Sequence, residues 1–252
     1  MNADTDSIHC YRSQIVRCAQ SLAVAHNELV VSDLVPGTPL ERITLFTEGN
    51  LEKRFLKLKD QMDLLEDAFD DLDERINAYI SEVPLAAYDT GSSDLELFLD
   101  RLCDTHHLTA RQFDCVTCQK SRIAVEQRAA NNRIGHVWFQ ELFSRAADFS
   151  TELETNSSLW VTLNPITIQA TFFTQALLDD EDAIPADVMF FPVGNDIRTA
   201  VLEPDAEQVI RKLERNGPAH LEQLVKSLSG LCRDQIVETC RELAGIGLAV
   251  FG

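Results

Sequence analysis

Basic residues are scarce in this chain of 252 residues. Lys and Arg number 22 against 41 Asp and Glu, which gives a net charge of −19 at neutral pH. Nucleic-acid-binding proteins draw much of their affinity from Lys and Arg side chains that neutralise phosphates. A strongly acidic chain repels a phosphate backbone instead, and its charge keeps it in solution. The charge balance therefore argues against a DNA or RNA partner.

Long apolar runs are also missing. No run approaches the roughly 20 residues that a membrane-spanning helix needs. Residues 1–6 are acidic and lack the apolar core of a signal peptide. Apolar residues nevertheless make up 45% of the chain, enough for real cores. We therefore expect a cytoplasmic protein with no membrane partner.

Motifs that carry catalysis are lacking as well. The ten glycines are scattered and form no phosphate-binding loop. The six histidines form no HExxH or other close metal pattern, and none lies in a recognisable Ser-His-Asp context. The sequence therefore predicts no catalytic residues and no metal ligands, and we expect that the chain is not itself an enzyme.

The seven cysteines include one CxxC pair, Cys115 and Cys118. A redox dithiol usually lies at the start of a helix that follows a strand, whereas this pair lies inside a predicted helix. A structural zinc site needs more ligands than this pair offers, and Cys103 with His106 or His107 would have to supply them. We favour two helical cysteines that pack as small apolar residues. A metal site and a redox pair stay open as alternatives.

Residues 1–150 show the three-to-four-residue apolar spacing of amphipathic helices. Ser93 and Thr109 are predicted to cap two of these helices, and Phe46 and Trp138 are expected on apolar faces. A run of carboxylates is expected to form an exposed acidic surface, and a partner-docking face or a site for a basic peptide stays open as the alternative. The predicted helices cover residues 8–34, 39–59, 62–65, 72–80, 95–102, 109–130 and 134–149. The acidic residues are Asp63, Glu66, Asp67, Asp70, Asp71, Asp73 and Glu74.

Residues 151–252 have a different pattern, with β-branched and aromatic runs among shorter helices. A strand is predicted over residues 159–163, and residues 167–178 fit a helix or a strand. The final part predicts a hairpin of residues 189–193 and 197–202, helices over 204–215, 219–228 and 233–245, and a closing strand over 248–251. This is the element order of a winged helix-turn-helix. The expected fold is mainly α with a C-terminal α+β part: a helical domain over residues 1–150 and a winged-helix domain over residues 151–252.

The hairpin predicts a site that needs no positive charge. An exposed sheet edge can accept an extended peptide as an added strand, with alternate side chains entering a neighbouring groove. Here that groove would lie between the strand at residues 197–202 and the helix at residues 233–245. Two alternatives stay open: the edge is covered by packing on the helical domain, or the module belongs to a winged-helix transcriptional regulator.

Apolar and aromatic residues of the helical half follow the pattern of one known family. The pattern here is Arg42-Ile43-Thr44-Leu45-Phe46, Asn50-Leu51, Leu64-Leu65, Ile76-Asn77-Ala78-Tyr79-Ile80, Pro84 and Leu97-Phe98-Leu99. It resembles the partner subunits of multinuclear non-haem iron enzymes that modify ribosomally synthesised peptides (RiPPs), as in methanobactin and 3-thiaglutamate biosynthesis. In that family a TIM-barrel iron enzyme oxidises a peptidyl cysteine. The partner subunit carries a RiPP recognition element, a winged helix that holds the leader peptide as a strand.

The resemblance implies that the chain is a non-catalytic subunit. It would bind the leader of a precursor peptide, form a heterodimer with a TIM-barrel iron enzyme and present the peptide's cysteine to it. Iron is then expected in the partner enzyme and no cofactor in this chain. The implied peptide-binding residues are Ile197, Thr199, Val201 and Leu202 on the strand, and Ile236, Val237, Cys240 and Arg241 on the helix.

Overall fold

The computed structural model describes residues 37–83, 93–105, 107–145, 159–173 and 185–252, together with the isolated residues 13, 14 and 17. The described residues are mainly helical, with small antiparallel sheets in the C-terminal part. Apart from those isolated positions, the helix predicted over residues 8–34 lies outside this range, as do residues 146–149 and 174–178. No helix among the described residues is long and apolar enough to cross a membrane.

The described residues up to 145 contain helices and no strands. Their bounds follow the predicted ones closely, so the prediction of a helical first part is confirmed there. The helices are α1 (Leu40–Lys59), α2 (Asp63–Glu66), α3 (Leu72–Glu82), α4 (Asp94–Thr105), α5 (Ala110–Asn131) and α6 (Arg133–Arg145).

Two of these helices begin at capping boxes, as predicted. The Ser93 Oγ accepts the Glu96 amide at 3.2 Å, and the Glu96 carboxylate accepts the Ser93 amide at 2.8 Å. Thr109 and Gln112 make the same exchange at the start of α5, at 3.2 and 3.0 Å. Each box satisfies donors that have no partner within the helix, which explains why α4 and α5 begin where they do.

Two apolar side chains do not lie where the helical spacing predicted. Phe46 on α1 is 60% exposed and Trp138 on α6 is 49% exposed. The buried neighbours are Thr47 and Phe139, each one residue further along. One residue turns a helix by about 100°, and tertiary packing decides which face is covered. The prediction that Phe46 and Trp138 face the core is therefore wrong.

A buried ion pair joins α1 to the start of α4. The Arg54 guanidinium donates to both carboxylate oxygens of Asp94, at 2.6 and 2.7 Å, and to the Val83 carbonyl at 2.6 Å. The Tyr79 hydroxyl of α3 donates to the same carboxylate at 2.8 Å, and its ring lies 5.0 Å from the Arg54 guanidinium carbon. Burial, then the hydrogen bond to Asp94, raises the pKa of the Tyr79 phenol. The ion pair and its hydrogen bonds thus offset the free energy that burying these charges would otherwise cost.

The predicted acidic surface is confirmed. Of its seven carboxylates, Asp71 is half-buried and the others are exposed. Asp71 pairs with Arg75 at 2.7 Å, and Asp73 pairs with Lys59 at 2.8 Å. The hydrogen bond to Asp73 raises the pKa of the Lys59 ammonium. These contacts are those of a solvated surface.

The C-terminal part contains two antiparallel sheets of three strands each. The first has the order β5-β1-β6, and the second has the order β2-β3-β4. The predicted hairpin is confirmed as β3 and β4, but the turn predicted over residues 194–196 is one residue too long, because Asp196 already pairs with Val193. Residues 168–172 of the ambiguous stretch form a strand. The strands are β1 (Trp160–Leu163), β2 (Ile168–Phe172), β3 (Ala186–Val193), β4 (Asp196–Val201), β5 (Ala219–His220) and β6 (Ala249–Phe251).

Three helices follow the hairpin, as predicted. They are α7 (Pro204–Asn216), α8 (Leu221–Ser227) and α9 (Arg233–Ile246). The helix predicted over residues 219–228 begins two residues later, because Ala219 and His220 pair with β1. Gly247 ends α9 with a φ of 86°, a left-handed conformation that favours glycine.

We call the described residues from 159 onwards the C-terminal module. One apolar cluster forms its core, drawn from β1, β3, the three helices and β6. Its members include Phe191, Ile210, Leu224, Ile236 and Phe251. The Asn164 side chain lies buried beside it, donating to the carbonyls of Pro192 and Gly247 and accepting the Ile166 amide.

The chain divides into two compact units, residues 1–116 and 117–252. The division falls within α5, whereas the sequence placed a boundary near residue 150. Helix α6 explains part of the difference, since Phe143 packs against the core of the C-terminal module. Gln140 adds two hydrogen bonds, one to the Pro192 carbonyl and one from the Gly194 amide.

Candidate functional site

Strand β4 lies at one edge of its sheet. It pairs with β3 on one side, and among the described residues no strand pairs with its other side. An edge strand presents a row of backbone N–H and C=O groups that another chain can use. The outer edge of β4 is therefore the first component of a candidate site.

The strand pairing determines which backbone groups of β4 face outward. The Leu202 amide donates to the Asp187 carbonyl at 3.0 Å. In an antiparallel pair, successive opposed residues alternate between bonding to each other and not doing so. Counting back from Leu202 along the register, even-numbered positions bond to β3 and odd-numbered positions do not. The outward-facing groups therefore belong to Ile197, Thr199 and Val201.

The position of Pro192 on β3 agrees with this count. Pro192 lies opposite Ile197, at a pair that does not bond across the ladder, so its missing N–H costs nothing there. Its carbonyl accepts hydrogen bonds from Asn164 at 3.0 Å and Gln140 at 3.2 Å. The polar backbone of Pro192 is thus used away from β4.

A groove of about 350 Å³ runs between the end of β4, the start of α7 and helix α9. At one end, the Arg198 guanidinium donates to the Ile246 carbonyl at 3.2 Å. Exposed apolar surface lies within it, because Val201 is 43% exposed and Ile246 is 36% exposed. The lining residues are Ala200, Val201, Leu202, Glu203, Asp205, Ala206, Gln235, Glu238, Thr239, Glu242, Leu243 and Ile246.

The predicted strand residues contribute to the candidate site in two ways, by lining the groove or by directing backbone groups outward. Val201 and Leu202 line the groove. Ile197 and Thr199 are absent from the lining, but with Val201 they direct backbone groups to the outer edge. All four predicted strand residues therefore lie at the candidate site, and three of them contribute outward-facing backbone groups.

The predicted helix residues lie elsewhere. Ile236, Val237 and Cys240 are at most 7% exposed and belong to the module's core. Arg241 is half-buried and pairs with Glu238 one turn earlier on α9. None of these four lines the groove. Ile236, Val237 and Cys240 pack into the core of the module, and other residues of α9 line the groove.

The sequence reasoning missed the stripe that α9 presents to the groove. That stripe runs through Gln235, Glu238, Glu242 and Ile246, with Thr239 and Leu243 beside it. Spacings of three and four residues place these side chains on one face. The signal in the sequence is the mostly polar face that these spacings define, next to the residues that the family resemblance implied as peptide-binding.

Three of the described cysteines, Cys115, Cys118 and Cys240, are buried, whereas Cys232 is exposed. Cys115 and Cys118 both lie within α5 and are buried, which confirms that the pair lies inside a continuous helix. Burial raises the pKa of the Cys115 thiol, and it raises the pKa of Cys240 to about 12. Among the described residues, which exclude His106, no three or more His, Cys, Asp or Glu side chains are grouped as metal ligands would be.

The geometry of the groove and the strand edge suits the non-covalent binding of an extended chain. An added strand would use the outward backbone groups of β4 for hydrogen bonds and place alternate side chains into the groove beside α9. No family model, curated protein or solved structure compared with the chain matches it. The groove and the strand edge are therefore the basis for a functional proposal.

Proposed function

We propose that the C-terminal module binds a guest peptide as an additional strand on the outer edge of β4. The observation that carries this is the coincidence of two features at one place. Ile197, Thr199 and Val201 direct backbone groups outward, and the groove beside α9 begins at the same strand. Backbone bonds supply affinity in this mode, and the groove supplies side-chain selectivity.

The element order supports a winged-helix, RiPP recognition element-like interpretation of the module. A three-stranded sheet, β2 to β4, precedes the three helices α7 to α9. Together with the resemblance of residues 42–99, this leads us to propose a non-catalytic partner subunit. It holds the leader of a ribosomal precursor peptide and presents its cysteine to a TIM-barrel multinuclear iron enzyme. The iron belongs to that enzyme, and the two chains form a heterodimer.

A transcriptional regulator is less well supported. Such a protein would place α9 against DNA, and DNA affinity depends on basic side chains. The groove-facing surface of α9 carries Glu238 and Glu242 and no basic residue. Specific DNA binding with a steep salt dependence would nevertheless favour the regulator over the peptide-binding subunit.

Strand addition is tested with a proline that removes one outward amide. A random peptide display library is selected on the full chain, and the best synthetic peptide is measured by fluorescence anisotropy. Thr199→Pro removes an outward N–H but no bond to β3, so we expect binding to weaken by about tenfold, the value of one lost buried hydrogen bond. Thr199→Val keeps the N–H and should bind as the parent chain does.

A second proline tests which amides of β4 bond to β3 and which face outward. Ala200→Pro removes an amide that bonds to β3, so it should lower the thermal stability of the chain, whereas Thr199→Pro should do so much less. Equal peptide binding by a folded Thr199→Pro variant and by the parent chain would contradict strand addition. The partner proposal is tested by co-purification with a TIM-barrel iron protein encoded beside this chain.

A further inference from the structure

The groove beside α9 is acidic. Four of its lining residues are carboxylates, Glu203, Asp205, Glu238 and Glu242, and no lysine or arginine is among the described residues that line it. Basic groups do lie nearby, since Arg198 donates to the Ile246 carbonyl and Arg241 pairs with Glu238. Neither side chain forms part of the lining, so the surface that a guest meets is negative.

Two of these carboxylates have a role at the start of α7. Glu203 precedes its first residue and Asp205 lies in its first turn. Carboxylates there complement the positive end of the helix dipole, which accounts for them without a ligand. Glu238 and Glu242 lie within α9, where the dipole gives no such reason. Glu238 and Glu242, together with the open strand edge, therefore point to a ligand.

The spacing of Glu238 and Glu242 fits the repeat of an added strand. They are four residues apart on α9, a separation of about 6 Å along the helix axis. Alternate side chains of a β-strand are about 6.7 Å apart. A guest strand that follows α9 could thus place one side chain of the same face against each carboxylate. Leu243 and Ile246 line the same groove beyond Glu242 on α9 and offer apolar contacts there.

We infer that the guest is a basic strand, in which Lys or Arg side chains at alternate positions contact Glu238 and Glu242. Opposite charges across an interface favour the correct partner and its register more than they raise affinity. The inference rests on the proposed strand addition at β4 and adds the chemical class of the peptide. An acidic or a neutral strand would form the backbone hydrogen bonds to β4 but no ion pairs with Glu238 and Glu242.

The inference is tested with three synthetic peptides of equal length that alternate Val with Lys, Gln or Glu. Their binding to the full chain is measured by fluorescence anisotropy at physiological salt. We expect the Val/Lys peptide to bind most tightly and the Val/Glu peptide least. In a Glu238→Gln/Glu242→Gln variant we expect the Val/Lys peptide to lose about fivefold in affinity, as two exposed ion pairs would contribute.

A matched control separates a specific contact from the attraction of any cation to an acidic protein. Glu48→Gln/Glu52→Gln removes two exposed carboxylates at the same four-residue spacing on α1. This variant should bind the Val/Lys peptide as the parent chain does. An equal loss in both double variants would overturn the inference, because the attraction would then be non-specific.

The remaining outcomes distinguish the inference from the proposed function. If the three peptides bind equally and Thr199→Pro weakens all of them, strand addition stands and the basic guest is wrong. If Glu238→Gln/Glu242→Gln weakens the Val/Lys peptide but Thr199→Pro does not, the groove selects cations without strand addition, which overturns the proposed function. If none of the peptides binds, the inference fails, and the peptide selected from the display library still tests strand addition.

Discussion

Polar groups occupy opposite places in the two parts of this protein. In the first unit, the Arg54–Asp94 ion pair lies in the interior, with side chains 6% and 13% exposed. In the C-terminal module, the buried polar side chains described are uncharged, Asn164 and Thr239, and four carboxylates line an open groove. Buried charges constrain how helices meet, whereas charges along a groove are available to a ligand. We therefore attribute the first cluster to the stability of the fold and propose that the second serves binding.

The largest expected effect comes from removing the buried cation. Arg54→Met leaves the Asp94 carboxylate without its charged partner, which should lower the free energy of unfolding by about 3–5 kcal/mol. Urea denaturation of the full chain, followed by circular dichroism, measures the change. Arg101→Met is the matched control, because Arg101 forms an exposed pair with Glu82 and should cost under about 1 kcal/mol. Equal losses would show that the buried pair does not hold α1 to α4.

The buried amide of the C-terminal module should contribute less. Asn164→Ala removes the donor to the Pro192 and Gly247 carbonyls and the acceptor of the Ile166 amide. Loss of these neutral bonds should cost about 2 kcal/mol, measured by the same denaturation. A loss as large as that of Arg54→Met would contradict this expectation, because removing a neutral buried group would then cost as much stability as removing a buried charge.

The smallest expected effect is a pH dependence that belongs to the first unit. The pKa of Tyr79 is raised in the folded chain by burial and then by its bond to Asp94, while an unfolded tyrosine ionises near pH 10. Above about pH 10 the unfolded state therefore binds fewer protons, and stability falls as pH rises. Thermal unfolding at about pH 9 and about pH 11 should show a smaller decrease for Tyr79→Phe than for the parent chain. Identical decreases would exclude this contribution.

Local chemistry explains which features the sequence predicted. The caps at Ser93 and Thr109 depend on residues three positions apart, and the hairpin depends on a turn between two apolar runs. These signals lie within a few residues of each other. Most helix bounds and the presence of the hairpin could therefore be predicted without tertiary structure, whereas the register of β3 and β4 could not.

Features that depend on distant contacts could not be predicted in this way. The partners Arg54 and Asp94 are 40 positions apart, and neither residue type alone indicates a buried pair. The pairing of β5 with β1 joins residues on either side of the hairpin. The family resemblance likewise implied that Ile236 and Cys240 bind the peptide, but both side chains belong to the module's own core.

The two-residue turn between β3 and β4 has a consequence for the guest. Gly194, with φ of 64°, permits the tight connection that places Val193 opposite Asp196. That pairing makes the odd-numbered positions of β4 the ones whose amides face outward. One residue inserted between Gly194 and Asn195 could shift the pairing by one position and exchange the two sets. The length of this turn thus determines which residues of β4 the proposed peptide would meet.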